Sequence, residues 1–396
     1  MGILDLLSGI TTVAKKHPEA RLEGIYLGAF KGSKVAIDIS IYAYKFMAVT
    51  RKESVNYTNV LKEDLLPEAI RIFWLEKCFD FLMMFIEELV TPILVFDGPP
   101  FRLKADTKAE RVAKYEEREK KIADLRLEIN YIKNKEGNTA QKKIKDLERE
   151  VSYHISLSQD DFDALEDMVR AMGIPVIKAN VEAEAACARL VRSGLAVATI
   201  TNDGDALAHL SQIMVIDVKR AYRHGKPMHR RTCIILDNVL SVLELNKFQF
   251  IDFCMLLGTD YNKRIKGFGW AFSLKEIKES GCLEEVMKVI GDKAIKKKLD
   301  LSEYRLAQIA FIEEIRGYFI SDFDINVICN LVVHYEDSLQ EFFEYVYSNC
   351  YKDMHVISIS SNNKSRMLGK CRDAGKVLRD FNQQYACLQH FELNIN

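Results

Sequence analysis

No stretch of this sequence stays apolar for the roughly 18 residues that a membrane-spanning helix needs. The longest apolar run, around Phe79–Ile86, is short and flanked by charge, and it predicts a buried helix. The N-terminal segment MGILDLLSGITTVAKKH lacks the basic start, long apolar core and small-residue cleavage site of a secretory signal. It begins Met-Gly, but Leu6 stands where a myristoylation signal has Ser or Thr. An intracellular protein is the expectation. The nine cysteines (78, 187, 233, 254, 282, 329, 350, 371 and 387) are odd in number and form no CxxC pair. Reduced thiols fit this usage better than a disulfide framework, and a zinc site is disfavoured. Bulk charge is missing as well. The 56 Lys and Arg and 57 Asp and Glu leave a net charge of −1, so any phosphate binding has to come from local basic patches.

What is present is a chain of 396 residues, 48% hydrophobic, with no internal repeat and no long linker. That length suits one large domain or two smaller ones. The first half alternates strand-like and helix-like segments. KVAIDIS (34–40) and TPILVFDGPP (91–100) read as buried strands, and residues 67–90 between them as a long apolar helix with Pro67 near its start, where proline is tolerated. GIPVIKAN (173–180) and LAVATITND (195–203) are further short strands. VEAEAACARLVRSG (181–194) lies between them as a helix closed by Gly194. IMVIDV (213–218) and TCIILD (232–237) complete the strand set. This alternation predicts an α/β domain with a mainly parallel sheet. Beyond about residue 240 the pattern turns helical, with amphipathic stretches at 247–257, 271–279, 283–291 and 303–318. The tail has a polar stretch, SISSNNKSR (358–366), and then a last helix.

The segment 102–153 differs in kind. From Arg102 to Arg149 there are 15 Lys or Arg and 10 Asp or Glu, a net of +5. Ile122, Leu125, Ile129 and Ile132 recur at spacings of three and four, and Ile144, Leu147 and Val151 do the same after a KEGNTA break. A helical hairpin with a thin apolar seam and a turn near Gly137-Asn138 is predicted. Taken alone, such a segment is more often a solvated surface hairpin.

The acids fall in a pattern. Asp38 and Asp97 end two strands, and Asp203 and Asp205 follow a third. Glu182 and Glu184 open a helix, and Asp260 ends another in LLGTDYN. In open α/β sheets, ligands bind beyond the carboxyl ends of the strands. A cluster of unpaired carboxylates repels itself and costs stability unless a cation neutralises it. Oxygen donors without His or Cys suit Mg²⁺ or Mn²⁺ rather than Zn²⁺. Any single aspartate at a strand end is more often a helix cap or turn former. The DGD at 203–205 lacks the further ligands of a calcium loop. Glu182 and Glu184, two residues apart, point to different sides of an ideal helix and share a site only at a first turn or through water. The weight rests on the ensemble.

Six segments carry a resemblance: MGI, KVAIDISIYAYKF, VFDGPPFRLK, VEAEAACARLV, ATITNDGDAL and FCMLLGTDYNKRIKGFG. In order and approximate spacing the chain resembles the XPG-type flap endonuclease family, structure-specific 5′ nucleases, as a divergent member. The resemblance implies an α/β fold: a PIN-like nuclease domain with a mainly parallel sheet, a helical arch insertion and a helix-two-turn-helix region, followed by a helical C-terminal part. The expected divisions are 1–101 and 158–300 for the nuclease domain, the latter with the helix-two-turn-helix, 102–157 for the arch and 301–396 for the C-terminal extension. The implied activity is Mg-dependent phosphodiester hydrolysis, cutting DNA 5′ flaps near the junction in replication or repair. Asp38, Asp97, Glu182, Glu184, Asp203, Asp205 and Asp260 would hold two Mg²⁺ ions, with Mn²⁺ able to substitute. Lys104 and Arg111, seven apart and so on one helix face, match the basic pair at the foot of the arch and would offset transition-state charge. Tyr44 matches the aromatic that stacks on a base beside the cut, and Arg51 a basic residue near the duplex. Gly2 belongs to the MGI start that packs near the active site. Gly267 and Gly269 would let backbone amides approach a phosphate.

The chain departs from the family in places. Trp270-Ala-Phe-Ser follows GFG where small and basic residues are usual. The loop after Asp97 is one residue shorter, and the arch segment is longer. A sliding clamp is a conceivable partner of such a nuclease, but no clamp-binding peptide occurs near the C-terminus, and SLQEFFEY (338–345) has the wrong spacing. Branched or flapped DNA as partner, a monomer, and a nuclear or other intracellular DNA compartment are the expectations. The competing readings are a non-catalytic branched-DNA-binding module and a PIN-type ribonuclease. All seven acids being present weighs against the first. The basic pair and the GTDY element weigh against the second.

Overall fold

The structure is a computed structural model that describes residues 2–62, 64–65, 67–99, 104–132, 137–180, 182–216, 221–223, 226–228, 230–296, 301–316, 340–344, 365–374 and 376–377. The strands, in chain order, are β1 (Leu22–Tyr26), β2 (Lys34–Asp38), β3 (Thr91–Phe96), β4 (Val176–Lys178), β5 (Ala198–Ile200), β6 (Ile213–Ile216), β7 (Ala221–Arg223), β8 (Lys226–Met228) and β9 (Arg230–Ile235). The α-helices are α1 (Leu6–Ala14), α2 (Ile39–Ser54), α3 (Pro67–Glu87), α4 (Ala105–Ile132), α5 (Gly137–Tyr153), α6 (Gln159–Ala171), α7 (Ala183–Arg192), α8 (Asp205–Ala208), α9 (Leu236–Leu243), α10 (Lys247–Leu257), α11 (Trp270–Ser280), α12 (Leu283–Lys296) and α13 (Leu301–Arg316).

Two compact units are present. The first comprises Met1–Ile41, Glu87–Lys104 and Val176–Cys329, and the second Tyr42–Ile86, Ala105–Pro175 and Asn330–Asn396. The first holds a seven-stranded sheet of order β1-β9-β6-β5-β2-β3-β4. The run β6-β5-β2-β3-β4 is parallel throughout. That is the mainly parallel sheet the alternation predicted, and β9 and β1 extend it antiparallel. Strand β3 is buried at every position, as a parallel strand covered on both faces must be, and this is why TPILVF reads as an unbroken apolar run. Two neighbouring elements lacked that signature. Strand β1 (LEGIY) is an edge strand with a register shift at Gly24, a residue at φ +75°. The β7–β8 hairpin carries little apolar pattern. Asp217 and Val218 of IMVIDV, Phe101–Leu103 after the prolines and most of the polar tail lie outside the described residues.

Helix α7 lays Ala183, Ala186, Cys187 and Leu190 against Ala36, Ile93 and Val95 of the sheet. A second core joins α1 and α9–α13 to Met214, Ile216 and Ile234, with Phe250, Phe253, Tyr304 and Phe311 fully buried within it. Trp270 after GFG has its explanation here. The Trp270 indole packs edge-on against Phe253 at 5.0 Å, and it occupies the space over Gly9 so closely that a Cβ there would lie 2.0 Å from the ring.

The second unit is helical. Helix α3 is apolar all round and buried along most of its length, including Phe79 and Phe81–Ile86. The Trp74 indole donates to the Ala43 carbonyl at 2.9 Å. The described C-terminal residues join this helix. Phe343 meets Phe79 edge-on at 5.9 Å, Arg366 pairs with Glu76 at 2.7 Å, and Lys370 pairs with Asp80. Helices α4 and α5 pack through the predicted seam, burying Ile122, Ile129, Leu147 and Val151. Gly137-Asn138 opens α5, and residues 133–136 between the two helices lie outside the described residues. Helix α6, not among the predicted elements, begins with a capping box in which Ser158 and Asp161 exchange hydrogen bonds.

Candidate active site

The sheet brings the acids together because parallel strands end at one edge. Asp38 is the last residue of β2 and only 1% exposed. Its Oδ2 accepts the Thr201 hydroxyl at 3.0 Å, while its Oδ1 is buried without a hydrogen-bond partner. Asp97 directly follows β3 and accepts the Ala183 amide at 3.0 Å, at the N-terminus of α7, where the helix dipole favours an anion. Glu182 is the extended N-cap of that helix, at φ −108° and ψ 136°, and Glu184 lies in its first turn. The spacing problem is thereby resolved, since Glu182 is not on the helical wheel. Carboxylate oxygens of Asp97, Glu182 and Glu184 lie within 4.8 Å of one another. The Glu184 Oε2 is buried and accepts no hydrogen bond.

After β5, Thr201 ties the second half of the site to the first. Its hydroxyl accepts the Asp203 amide at 3.1 Å. The Asp205 amide donates to Asp203 Oδ1 at 3.1 Å, and the Ile3 amide donates to Asp205 Oδ1 at 2.7 Å. Gly2 sits against these two acids at φ +82°, and a Cβ there would lie 1.7 Å from Asp203 Oδ1. The residue has to be glycine on both counts. Asp260 follows α10. Its Oδ2 lies 3.8 Å from the Lys104 ammonium, which pairs with Glu182 Oε2 at 2.7 Å. Lys104 also stands 5.2 Å over the Tyr261 ring.

The electrostatics follow from this crowding. Burial, then the charge of Asp97, pushes the Asp38 carboxyl well above its usual range. Burial followed by Asp38 does the same to Glu184, and burial followed by Asp203 does so to Asp205. Asp203 and Glu182 are raised too, chiefly by burial. Burial works against the charge of Lys104, but Glu182 and Glu184 outweigh it and hold the ammonium above its ordinary pKa. Lys104 by itself does not balance seven acids. Two buried carboxylate oxygens without partners, in an oxygen-only donor set, fit a hard divalent cation. The Cys187 thiol is pushed well up by burial and then by Asp38, Glu184 and Asp97.

Other predicted residues fall elsewhere. Lys104 stands one residue before α4, the helix that carries Arg111. Arg111 is an exposed residue of the second unit, as is Tyr44, whose ring sits edge-on to Phe162 at 6.3 Å. Arg51, also in that unit, spends its guanidinium on the Val151 carbonyl, at 3.3 Å from Nε and 3.1 Å from Nη2. Gly267 takes φ +97°, whereas Gly269 is the extended N-cap of α11 with open space about its Cα. Thr201 and Tyr261 were legible as letters of ATITND and GTDYN, but nothing in their spacing announced a role.

Two family models match the chain, the XPG N-terminal domain over residues 1–118 and the XPG I-region over 173–260. Flap endonuclease 1 of Leishmania infantum is 31% identical over 323 residues, covering 81% of this chain and 73% of that protein. The chain belongs to the XPG/flap endonuclease family. The flap endonuclease 1 of Lodderomyces elongisporus is 29% identical over 298 residues, 75% of this chain and 72% of that protein. Among solved structures, the flap endonuclease-1 from Methanococcus jannaschii superposes with a TM-score of 0.56 at 19% identity, covering 90% of this chain and 95% of its own. The catalytic core of Rad2 in complex with DNA substrate gives 0.53 at 18% identity, covering 85% and 93%. At those identities the structures establish the fold this family member shares, a PIN-like nuclease fold. All seven acids lie in the two matched regions.

Proposed function

We propose that the chain is a metal-dependent, structure-specific DNA endonuclease that cuts 5′ flaps or related branched DNA, with two Mg²⁺ ions held by Asp38, Asp97, Glu182, Glu184, Asp203, Asp205 and Asp260. Mn²⁺ would substitute. The observation that carries this reading is the burial of oxygen-only acids at the ends of parallel strands, with Asp38 Oδ1 and Glu184 Oε2 left without partners. A protein that only bound DNA would gain nothing from unbalanced negative charge facing phosphates. When bound, such ions lower the pKa of a water and stabilise the leaving oxygen of a phosphodiester.

The chain's own residues then have definite tasks. Ile3 and Thr201 fix the orientation of Asp205, Asp203 and Asp38 through the hydrogen bonds given above. Lys104 can leave Glu182 for a phosphate oxygen, and Lys104 and Arg111 would offset charge as the phosphodiester breaks. Tyr44 supplies an exposed ring for a base to stack on. Arg51 would reach a phosphate only by releasing Val151. Gly267 and Gly269 would admit a phosphate to backbone amides near α11. Helices α4 and α5 would form the arch that receives the single strand. On this reading the protein works as a monomer in the nucleus or another DNA compartment, and a sliding clamp is its candidate partner despite the absent peptide.

The test uses end-labelled 5′-flap, 3′-flap, single-strand and duplex DNA, with Mg²⁺ or EDTA, beside Asp203→Asn. Cutting of the 5′ flap near its junction that requires both Mg²⁺ and Asp203 is the expected result. Tight flap binding without cleavage under any metal would overturn the nuclease.

A further inference from the structure

Helix α13 lies outside both matched family regions, yet its buried face runs beneath the segment that carries Asp260. Tyr304, Ala307, Gln308 and Phe311 share that face at helical spacing. Tyr304 is 1% exposed, and its hydroxyl donates to the Lys263 carbonyl, three residues after Asp260. Gln308 donates to Asp252 Oδ1 at 2.6 Å, eight residues before Asp260 on α10, and the second oxygen of Asp252 accepts the Leu283 amide at 2.9 Å. The segment is thus held on both sides of its acid. Within it, the Asn262 amide donates to the Met255 carbonyl at 2.8 Å, and the Thr259 hydroxyl donates to Asn262 Oδ1 at 2.7 Å. The turn is stiff only as far as its anchors are fixed. Phe311 meets the Tyr261 ring edge-on at 5.4 Å, and Tyr261 in turn lies beneath the Lys104 ammonium. The same Phe311 ring stacks on His209 at 4.5 Å, just past α8, the helix that Asp205 begins.

We propose that α13 positions the Asp260 side of the metal site, with Tyr304 the positioning residue that fixes the Thr259–Lys263 turn and Phe311 the one that fixes Tyr261 beneath Lys104. The inference rests on the metal-dependent nuclease reading. Burial pushes the Tyr304 hydroxyl up to about 12, so it stays a donor across the working pH range. Tyr304→Phe removes the hydroxyl's hydrogen bonds to the Lys263 carbonyl and the Asn262 side chain and leaves the packing volume nearly intact.

The experiment counts bound Mn²⁺ by electron paramagnetic resonance and measures kcat and KM on a 5′ flap, for the full-length protein and its variants. Tyr304→Phe is expected to raise the half-saturating Mn²⁺ concentration by about fivefold, the scale of the lost hydrogen bonding. The KM for DNA should stay unchanged, and kcat should recover at high Mn²⁺. Leu306→Ala, on the exposed face of the same helix, should behave as wild type. Should Tyr304→Phe fail to fold, Phe311→Leu carries the same expectation, because it keeps an apolar side chain and removes the ring edge. Mn²⁺ binding by either folded variant that matches wild type would overturn the role of α13. Absence of Mn²⁺ binding by wild type would instead overturn the metal site itself.

Discussion

The sheet edge of the first unit crowds buried acids together, whereas the α4–α5 hairpin of the second pairs charges of both signs. Around Asp38, Asp203 and Asp205, acids crowd one another out of water, and Lys104 pairs with Glu182 and Asp260 beside them. Along α4 and α5 the charges are as dense but balanced. Glu150 receives Lys121 at 2.8 Å and Arg118 at 3.3 Å, Lys143 pairs with Glu128, and Arg149 pairs with Asp146 at 3.4 Å. The hairpin's charges solvate it and lace its helices together. Those of the sheet edge work against the fold, and a fold keeps such a cost when function needs it.

That contrast can be broken by substitution. Asp203→Asn should lower flap cleavage by more than about 100-fold, beyond what the loss of an orienting group around a metal costs. Lys143→Ala in the hairpin should change it by less than about fivefold, the limit of one surface ion pair. Equal losses in a single-turnover assay would erase the distinction. Stability should move in opposite directions. Glu184→Gln relieves a buried like-charge site, so the metal-free protein should gain about 1 kcal/mol, read as a Tm about 2–4 °C higher. Glu150→Gln removes the acid that three cations share and should cost up to about 1 kcal/mol. A lower metal-free Tm for Glu184→Gln would show that its carboxylate is stabilising as it stands.

The two units should also differ in their response to acid. His209 in the first unit is buried, and burial followed by Arg192 holds its pKa well below the usual value. His154 in the second is lowered by burial and then Arg51, and its ring stacks on Tyr115 at 4.0 Å. A depressed imidazole refuses a proton that the unfolded chain accepts. Stability therefore falls as pH drops below the unfolded value near 6.5, by up to about 1.4 kcal/mol per pH unit for a fully refusing group. His209→Phe should flatten denaturant-derived stability between pH 6.5 and 5 more than His154→Phe does. The reverse order would place the stronger proton refusal in the second unit.

How much of this was legible depended on where the physical signal lay. Buried parallel strands such as β3 are apolar at every position, and the α4–α5 seam repeats at helical spacing, so both stood out in one dimension. Strand β1 is half-exposed and bulged at Gly24. Helix α6 carries both a capping box at Ser158 and Asp161 and a buried stripe of Leu165, Met168 and Val169, but it lies between the arch segment and the strand motifs that drew the reading. Trp270, which looked like a departure from a DNA contact, is a partly buried residue packed against the core and seated over Gly9.

Sequence alone determined the α/β class through its strand–helix alternation and, through six motif segments, the family, because residue types and their order are properties of the chain. Tertiary structure decided the rest. It made Glu182 an extended cap that reaches the same site as Glu184, and it put Gly2 against Asp203. It gave Lys104 to Glu182, committed Arg51 to Val151 and set Tyr304 under the Asp260 turn. Those pairings join residues tens to hundreds of positions apart, and only folding sets the distances over which charges and hydrogen bonds act.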